Sequence, residues 1–570
     1  MSTAFRILTA LVLILPAATN AEPPSLQVVL KPHRAGSEVD YIDVRLVLEA
    51  PDARPDTPLL RIPRVFASIE SVRYEADDIR VSDANGPVPL VQKDDPTDAA
   101  GFIYFRRWMP TRVTVGDVTV AYRAPTRVFR PKLGSGPPFD LRPEAGGVNG
   151  AGVSFLVLPD RPGPWSIHLK WDLSDMPPGS RGAWSLGEGE VRTVGPVELL
   201  AHAYYMAGSL HSHPESPGQP FQIYWQSEPP FDAKAVAEWT GRAYSAISAF
   251  FGEPGAPYRV FFRKNPYSAM GGAGLVRSFM LGYGSGAGEA PTVGQLSHTL
   301  AHEIVHNWPG SLNGPNGIVS WYGEGMAEHY AAVLTWRAGL MDTEQYLADV
   351  NRRALSYYSS DVNRLPAEQI AARFWTDARV RRLPYDRGSL YLATVDAQVR
   401  AVSGGKRRLD DLTHAMLARR KRGESYDTAA WLDLVTRELG PGARAEFDAM
   451  MAGELVVPPS DAFGPCFRRE NTRYRRFELG FDPASLTESP RIVRGVVAGS
   501  AAARAGLKDG DEITTPVVLE PVQRDPAMTL TLHVRREGKD IEITYLPRGE
   551  AVDGYRWVRV ESVPDSACDI

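Results

Sequence analysis

Leu296 to Trp308 reads LSHTLAHEIVHNW and is the most informative segment of the chain. It holds His302-Glu303-Ile304-Val305-His306. Histidines four residues apart share one face of an α-helix, a turn apart, so both imidazoles can reach one ion. The glutamate between them can face an open coordination position and take a proton from water there. Imidazole ligands and hydrolytic chemistry favour Zn²⁺ over Mg²⁺ or Ca²⁺.

Working outward, Glu324 follows His306 by 18 residues, inside Trp321-Tyr322-Gly323-Glu324-Gly325-Met326-Ala327-Glu328. This segment opens a second amphipathic helix expected to run to about Ala338. A carboxylate one helix away completes a two-His, one-Glu set with an open fourth position, the arrangement of catalytic zinc. The plainer alternative is a solvated carboxylate favoured by the helix dipole.

HEIVHNW followed by WYGEGMAEHY resembles the gluzincin metallopeptidases, which share a thermolysin-like catalytic domain. It is similar to the aminopeptidase N-type family, with its HExxH, a Trp two residues later and a Glu in an N/S-E-G-F-like turn. It also resembles the glycyl-aminopeptidase-type family, which adds a β-rich N-terminal domain and a C-terminal PDZ domain. There are departures: the spacing from His306 to Glu324 is one residue short of the aminopeptidase N pattern, and the turn reads Gly-Glu-Gly-Met.

The resemblance implies one zinc per chain on His302, His306 and Glu324, with Glu303 as general base. It implies that Glu328, one turn past Glu324, hydrogen-bonds a ligand histidine and fixes its tautomer. It also implies a tyrosine that donates to the developing oxyanion. Tyr385, in Pro384-Tyr385-Asp386-Arg387-Gly388-Ser389-Leu390, stands 61 residues past Glu324 at the expected start of an apolar helix; Tyr391 is the fallback. His298 shares the face of His302 and is expected to pack or support from beneath. His329 should point elsewhere on its helix.

Exopeptidases of this clan hold the substrate α-ammonium with a Glu on an edge strand, in a Gly-x-Met-Glu-Asn or Gly-Gly-Leu-Glu-like segment. The corresponding stretch is Ala269 to Met280, AMGGAGLVRSFM, where Val276 falls near the place of that Glu. No Asp or Glu occurs between Glu253 and Glu289. A buried ammonium without a counter-charge is costly, so aminopeptidase and endopeptidase action both stay open. Arg277 would favour an anionic group if it faces the cleft, and Gly271, Gly272 and Gly274 would admit a substrate backbone. The basic clusters Arg379 to Arg382 and Arg419 to Arg422 read as solvated faces, the first near enough to Tyr385 to line the cleft.

Arg476 to Phe481 and RIVRGVVAGSAAARAGLKDGDEIT resemble a PDZ domain. Leu479, Gly480 and Phe481 match the loop whose backbone N–H groups capture a peptide carboxylate. Pro521 and Pro526 fall where such domains carry a groove-lining helix, so a docking module without a groove is the alternative. Leu532 to Tyr545 reads as a hairpin turning at Glu537-Gly538.

Before residue 197 the pattern is strand-like, as in Tyr41 to Leu48, Gly101 to Phe105, Val113 to Tyr122 and Val153 to Leu158. The fold class expected is multidomain α+β: a β-sandwich-like domain over 22–196, a thermolysin-like domain over 197–460 and a PDZ-like domain over 461–570. Residues 1–21 read as a secretory signal peptide. Arg6 precedes an apolar run from Ile7 to Leu15 that is too short to span a bilayer, and small residues follow to Ala21. The protein is therefore expected to be secreted, or periplasmic if the source is a Gram-negative bacterium, with no stable membrane insertion.

The whole chain has 570 residues, 43% hydrophobic and 23% charged, which excludes wholesale disorder. Lys plus Arg number 63 against 68 Asp plus Glu, so nothing electrostatic points to nucleic acid. The two cysteines, Cys466 and Cys568, exclude a cysteine-rich zinc module. They bracket the PDZ-like region in a compartment that permits disulfides and are expected to pair. The leading functional expectation is an exported zinc metallopeptidase acting on peptide or protein substrates, with a peptide ligand for the PDZ-like unit. The alternatives are a peptide-binding scaffold with a vestigial site and hydrolysis of a non-peptide substrate.

Overall fold

The computed structural model describes residues 22–570 except 67–68, 97–102, 129–138, 267–270, 285–289, 376, 487, 489, 516, 518, 520–521, 524 and 569–570. The expected signal peptide at 1–21 lies outside the described residues. No described helix is long and apolar enough to cross a membrane.

The N-terminal region is built from strands whose alternation sends every second side chain inward. Ser25–Ala35 buries Leu26, Val28 and Leu30, and pairs antiparallel with Glu38–Leu48, which buries Ile42, Val44, Leu46 and Leu48. These residues share one core with Trp108, Trp165 and Trp184 from other strands. The stretch expected as a strand at Val153 to Leu158 is instead a short 3₁₀ turn, Gly152–Ser154, leading into the brief strand Leu158–Pro159. Side chains replace a strand partner there: Tyr74 Oη donates to Phe155 O (2.9 Å) and Val157 N donates to Tyr122 Oη (2.8 Å). Val113 to Tyr122 begins as a strand only at Val118, after a turn at Gly116 (φ +66°). Strand Tyr204–Gly208 hydrogen-bonds with Gly147–Ala151 and Arg181–Trp184, so sheet pairing carries this β region past residue 196.

The middle region has a five-stranded sheet in the order His211–His213, Phe221–Trp225, Tyr258–Lys264, Ser278–Tyr283 and Gly271–Leu275. Gly271–Leu275 is an edge strand, joined to Ser278–Tyr283 by the two-residue turn Val276-Arg277. The helices, in chain order, are α1 (Glu198–Ala201), α2 (Ala233–Phe250), α3 (Val293–Val305), α4 (Ser320–Arg337), α5 (Thr343–Ser359), α6 (Ala367–Arg373), α7 (Ala378–Ser403), α8 (Leu409–Lys421), α9 (Thr428–Leu439) and α10 (Gly442–Ala452). Asp232 and Thr292 cap α2 and α3 by accepting the free N–H of the first turn. A core including Ile247, Phe262, Leu300, Ile304, Met326 and Trp431 joins sheet and helices.

The C-terminal region is two things rather than one. Phe467–Phe477 and Arg548–Arg559 form a long antiparallel ribbon that packs on α5. Asn351 exchanges two 2.8 Å hydrogen bonds with the Trp557 backbone, and Phe467 and Trp557 join the helical core beside Tyr346 and Tyr358. A second, smaller core gathers Leu479, Phe481, Val493, Ala502, Leu532 and Ile543. Its hairpin pairs Leu530–Arg536 with Lys539–Tyr545, turning at Glu537 (φ +50°) and Gly538 (φ +76°). Cys466 and Cys568 form a disulfide with a Cα–Cα distance of 5.3 Å, closing the open end of the ribbon.

Candidate metal centre

Helix α3 carries His302 and Glu303, and His306 caps its C-terminal end. Helix α4 brings Glu324 across from them. His302 Nε2 and His306 Nε2 stand 3.0 Å apart, and each lies 3.3 Å from Glu324 Oε2. Three donors about 2.0–2.1 Å from one tetrahedral ion stand about 3.3 Å from one another, so the set fits zinc. Glu324 Oε2 is buried and accepts no hydrogen bond, which a cation would remedy. Burial alone would raise the Glu324 carboxyl, but the two imidazoles outweigh it and hold it well below the usual carboxylate range.

Beneath the ligands lies a buried charge network. Glu328 Oε1 is 3.5 Å from His302 Nδ1, and its other oxygen is 3.0 Å from His298 Nε2. His298 Nδ1 in turn faces Asp349 (3.2 Å). Arg382 reaches Glu328 (3.1 Å) and Asp386 (3.0 Å), and Arg352 reaches Asp349 (2.6 Å). Burial opposes ionisation of Glu328, yet Arg382, His298 and Arg352 hold its pKa well down. Both nitrogens of His298 therefore face carboxylates. Arg382, expected on a solvated face, belongs to this network, and α5 supplies Asp349 and Arg352, which the motif reading did not include. Their signal in the sequence is weak, because acidic and basic residues on a helix usually mean a solvated face. His329 points away, buried near Asp396 and Arg353, and burial pushes its pKa down to about 3.

Glu303 is 8% exposed, and burial pushes its carboxyl up to about 7 against a pull from His306 and from the Gly274 N–H. The edge strand passes directly over it. A Cβ on Gly272 would stand 2.5 Å from Glu303 Cγ and Oε1, and one on Gly274 would stand 3.3 Å from His306 Cβ. The missing side chain at Gly272 thus makes room for Glu303, whereas nothing stands within 4 Å of a Cβ on Gly271. Val276 lies beyond the strand, in the turn, with its N–H bonded to His202 O (2.9 Å). Gly274, not Val276, faces His306 and Glu303. Arg277 is also in the turn, its side chain 44% exposed, with Nη1 3.7 Å from Glu253 Oε2.

Tyr385 sits in the second turn of α7 rather than at a helix start, because Asp377 caps α7 further upstream and Pro384 is carried inside it. Its ring stacks on that of His302 (5.6 Å, 7°), and the Arg382 guanidinium lies 4.9 Å from its centroid. Burial and the nearby Glu324 and Glu303 push its hydroxyl well above the usual range, so it stays a proton donor. Tyr391 is buried in the helical core, where its hydroxyl accepts from Trp431 Nε1 (3.2 Å).

Leu479 and Phe481 point into the small C-terminal core, and Gly480 has φ +84°. A Cβ on Gly480 would stand 2.8 Å from Ala502 Cβ and Ser500 Oγ, so the loop needs glycine here. Two of its carbonyls are taken, Leu479 O by Tyr545 Oη (2.7 Å) and Gly480 O by Val497 N (2.8 Å).

No protein-family model and no curated protein matches the sequence. Solved structures do match the fold. An aminopeptidase N family protein from Idiomarina loihiensis is similar with TM-score 0.63 and 16% identity, over 93% of this chain and 97% of that one. The M1 zinc metallopeptidase of Deinococcus radiodurans is similar with TM-score 0.50 and 17% identity, over 77% of this chain and 94% of that one. A mutant of that enzyme bound to a Tyr-Ser-Ala substrate gives TM-score 0.50 and 17% identity, over 77% and 96%. The shared property is a multidomain α+β architecture of the M1 peptidase type.

Proposed function

We propose that the chain is an exported zinc-dependent metallopeptidase of the gluzincin kind, with a PDZ-like C-terminal unit that takes a peptide ligand. The observation that carries this is the convergence of His302, His306 and Glu324 on one point beside Glu303 and Tyr385. The neighbours' fold supports it. Zinc bound there by the three ligands would polarise a peptide carbonyl and acidify water. Glu303 takes the proton of the attacking water and delivers it to the leaving amine. Tyr385 Oη donates a hydrogen bond to the oxyanion. Glu328 orients His302 through Nδ1. The strand Gly271–Leu275 offers its free edge to an extended peptide. With Gly274 facing the centre, this strand supplies no carboxylate for a free α-ammonium, which favours internal cuts over obligatory N-terminal trimming.

The test is Glu303→Gln in the full chain. Hydrolysis of a peptide library should fall about 10²–10⁴-fold, with one zinc per chain retained by elemental analysis. A variant that keeps its full rate would overturn the reading.

A further inference from the structure

The cleft beside the metal centre does not stop at Gly274. It continues past His306 as an open pocket of about 670 Å³ that reaches Arg277, Arg420, Lys421 and Glu253. Arg277 comes from the turn after the edge strand. Arg420 and Lys421 come from the last turn of α8, more than 140 residues away in sequence. These residues, read from sequence as one conditional cation and part of a solvated face, converge on one pocket.

The charges there do not balance. Glu253 is fixed by Trp308 Nε1 (3.3 Å) and shared by Lys421 Nζ (3.5 Å) and Arg277 Nη1 (3.7 Å), both loose pairs. Arg420 places Nη1 on a carbonyl, Pro309 O (3.2 Å), and lies over the Tyr426 ring at 5.2 Å, so its neighbours are neutral groups rather than a carboxylate. His202, the N-terminal region's contribution, is kept neutral by burial. Three cations against one carboxylate leave the pocket with a net positive charge.

The backbone supplies a second, independent sign. Arg277 has φ +45°, in the left-handed region that glycine adopts freely and other residues adopt under strain. In a two-residue hairpin turn glycine would be the easy choice. Strain of this kind persists where a side chain is needed, and it clusters at functional sites.

We propose that this pocket is a subsite for a side-chain carboxylate, so that the substrate is a peptide carrying Asp or Glu near the cut bond. The proposal rests on the peptidase reading for the nature of the ligand, and its test separates the two. Guanidinium and ammonium groups of a half-open cleft bind a carboxylate through charge-assisted hydrogen bonds. The nearby centre then fixes the distance from that carboxylate to the cut.

The experiment uses the full-length zinc-loaded Glu303→Gln protein and fluorescent heptapeptides, capped at both ends, with Asp or Asn at each position in turn. Anisotropy titration should show Asp favoured over Asn about tenfold at one position, as expected for a hydrogen bond to a charged group. The preference should shrink in 0.5 M NaCl, about where screening falls within a few ångström. Arg277→Gly should bring the ratio to within about twofold while its Tm equals or exceeds that of the parent, because glycine relieves the turn. Lys421→Ala should lower the ratio as well. Equal binding of Asp and Asn peptides at every position overturns the proposal, as does a preference that survives both substitutions. A parallel set with a free C-terminal carboxylate separates the other source of the same chemistry: binding that depends on that group and ignores Asp overturns the side-chain assignment. Hydrolysis by the unmodified chain is read on the same peptides. An Asp preference without hydrolysis rejects the peptidase reading and keeps the subsite, and hydrolysis without an Asp preference does the reverse.

Discussion

Gly325 on α4 and Gly388 on α7 touch through their backbones: a Cβ on Gly325 would stand 2.6 Å from the carbonyl carbon of Gly388. A Cβ on Gly388 would in turn stand 2.1 Å from Trp321 O. Neither obstacle is a flexible side chain, so a methyl group here must push the helices apart. This approach fixes how Glu324, beside Gly325, and Tyr385, one turn before Gly388, meet at His302, the first 3.3 Å from its Nε2 and the second stacked on its ring.

Gly388→Ala should therefore reduce stability by about 1–3 kcal/mol, the usual range for overpacking. It should also reduce peptide hydrolysis more than zinc content, because His302 and His306 stay on α3 while Tyr385 moves with α7. Thermal melts together with elemental analysis check both. Wild-type melting with wild-type activity would contradict the packing argument.

Gly272→Ala tests the contact between the edge strand and the base. The added methyl would sit 2.5 Å from the Glu303 carboxylate. It should displace Glu303 and lower kcat by about 10²-fold or more, approaching loss of the general base. The atoms nearest that methyl all belong to Glu303 and not to His302, His306 or Glu324, so zinc affinity should hold.

The pH profile follows from burial of Glu303, whose carboxyl is pushed up to about 7. A raised carboxyl is protonated below that value and cannot accept a proton, so activity is lost as pH falls through it. A bound dication favours the carboxylate and moves the limb lower. The acid limb of kcat/KM should therefore lie at or below about 7, with a tenfold loss per further pH unit. Glu303→Gln should have no such limb. A wild-type limb above about 8 would contradict the assignment of the base.

The disulfide closes a span of 102 residues. Loop-closure entropy gives such a cross-link about 3–5 kcal/mol of stabilisation. Replacing both Cys466 and Cys568 by Ala should lower the denaturation midpoint of the C-terminal region. It should leave zinc binding in place, since the ribbon docks on α5 at Asn351 and not on the ligands themselves. An unchanged midpoint would show that docking alone fixes the ribbon.

Short-range periodicity made much of this legible. The four-residue spacing of His302 and His306 is a property of any α-helix, whereas the helix of Glu324, expected to be amphipathic, is buried on nearly every face. Alternation at Glu38–Leu48 and the Glu537-Gly538 turn are local in the same way. Val153 to Leu158 misled because a continuous apolar run says only that a segment is buried. Whether a strand or the hydroxyls of Tyr74 and Tyr122 will satisfy its backbone depends on distant residues.

By itself the sequence singled out the candidate donors His302, His306 and Glu324, the candidate base Glu303 and the expected pairing of Cys466 with Cys568, because each rests on residue chemistry at a short or bracketing spacing. Tertiary structure alone decided that Gly272 and Gly274 lie over Glu303 and His306 while Val276 falls in the turn, since where the strand ends and what it crosses depend on its pairing with Ser278–Tyr283 and its packing on α3. It also decided that Arg382 and Asp349 join the charge network around Glu328 and His298, and that Arg277, Arg420 and Lys421 share one pocket. Charges on separate elements have no sequence period that links them. Only the packing of α5, α7 and α8 around the metal centre brings them within reach of one another.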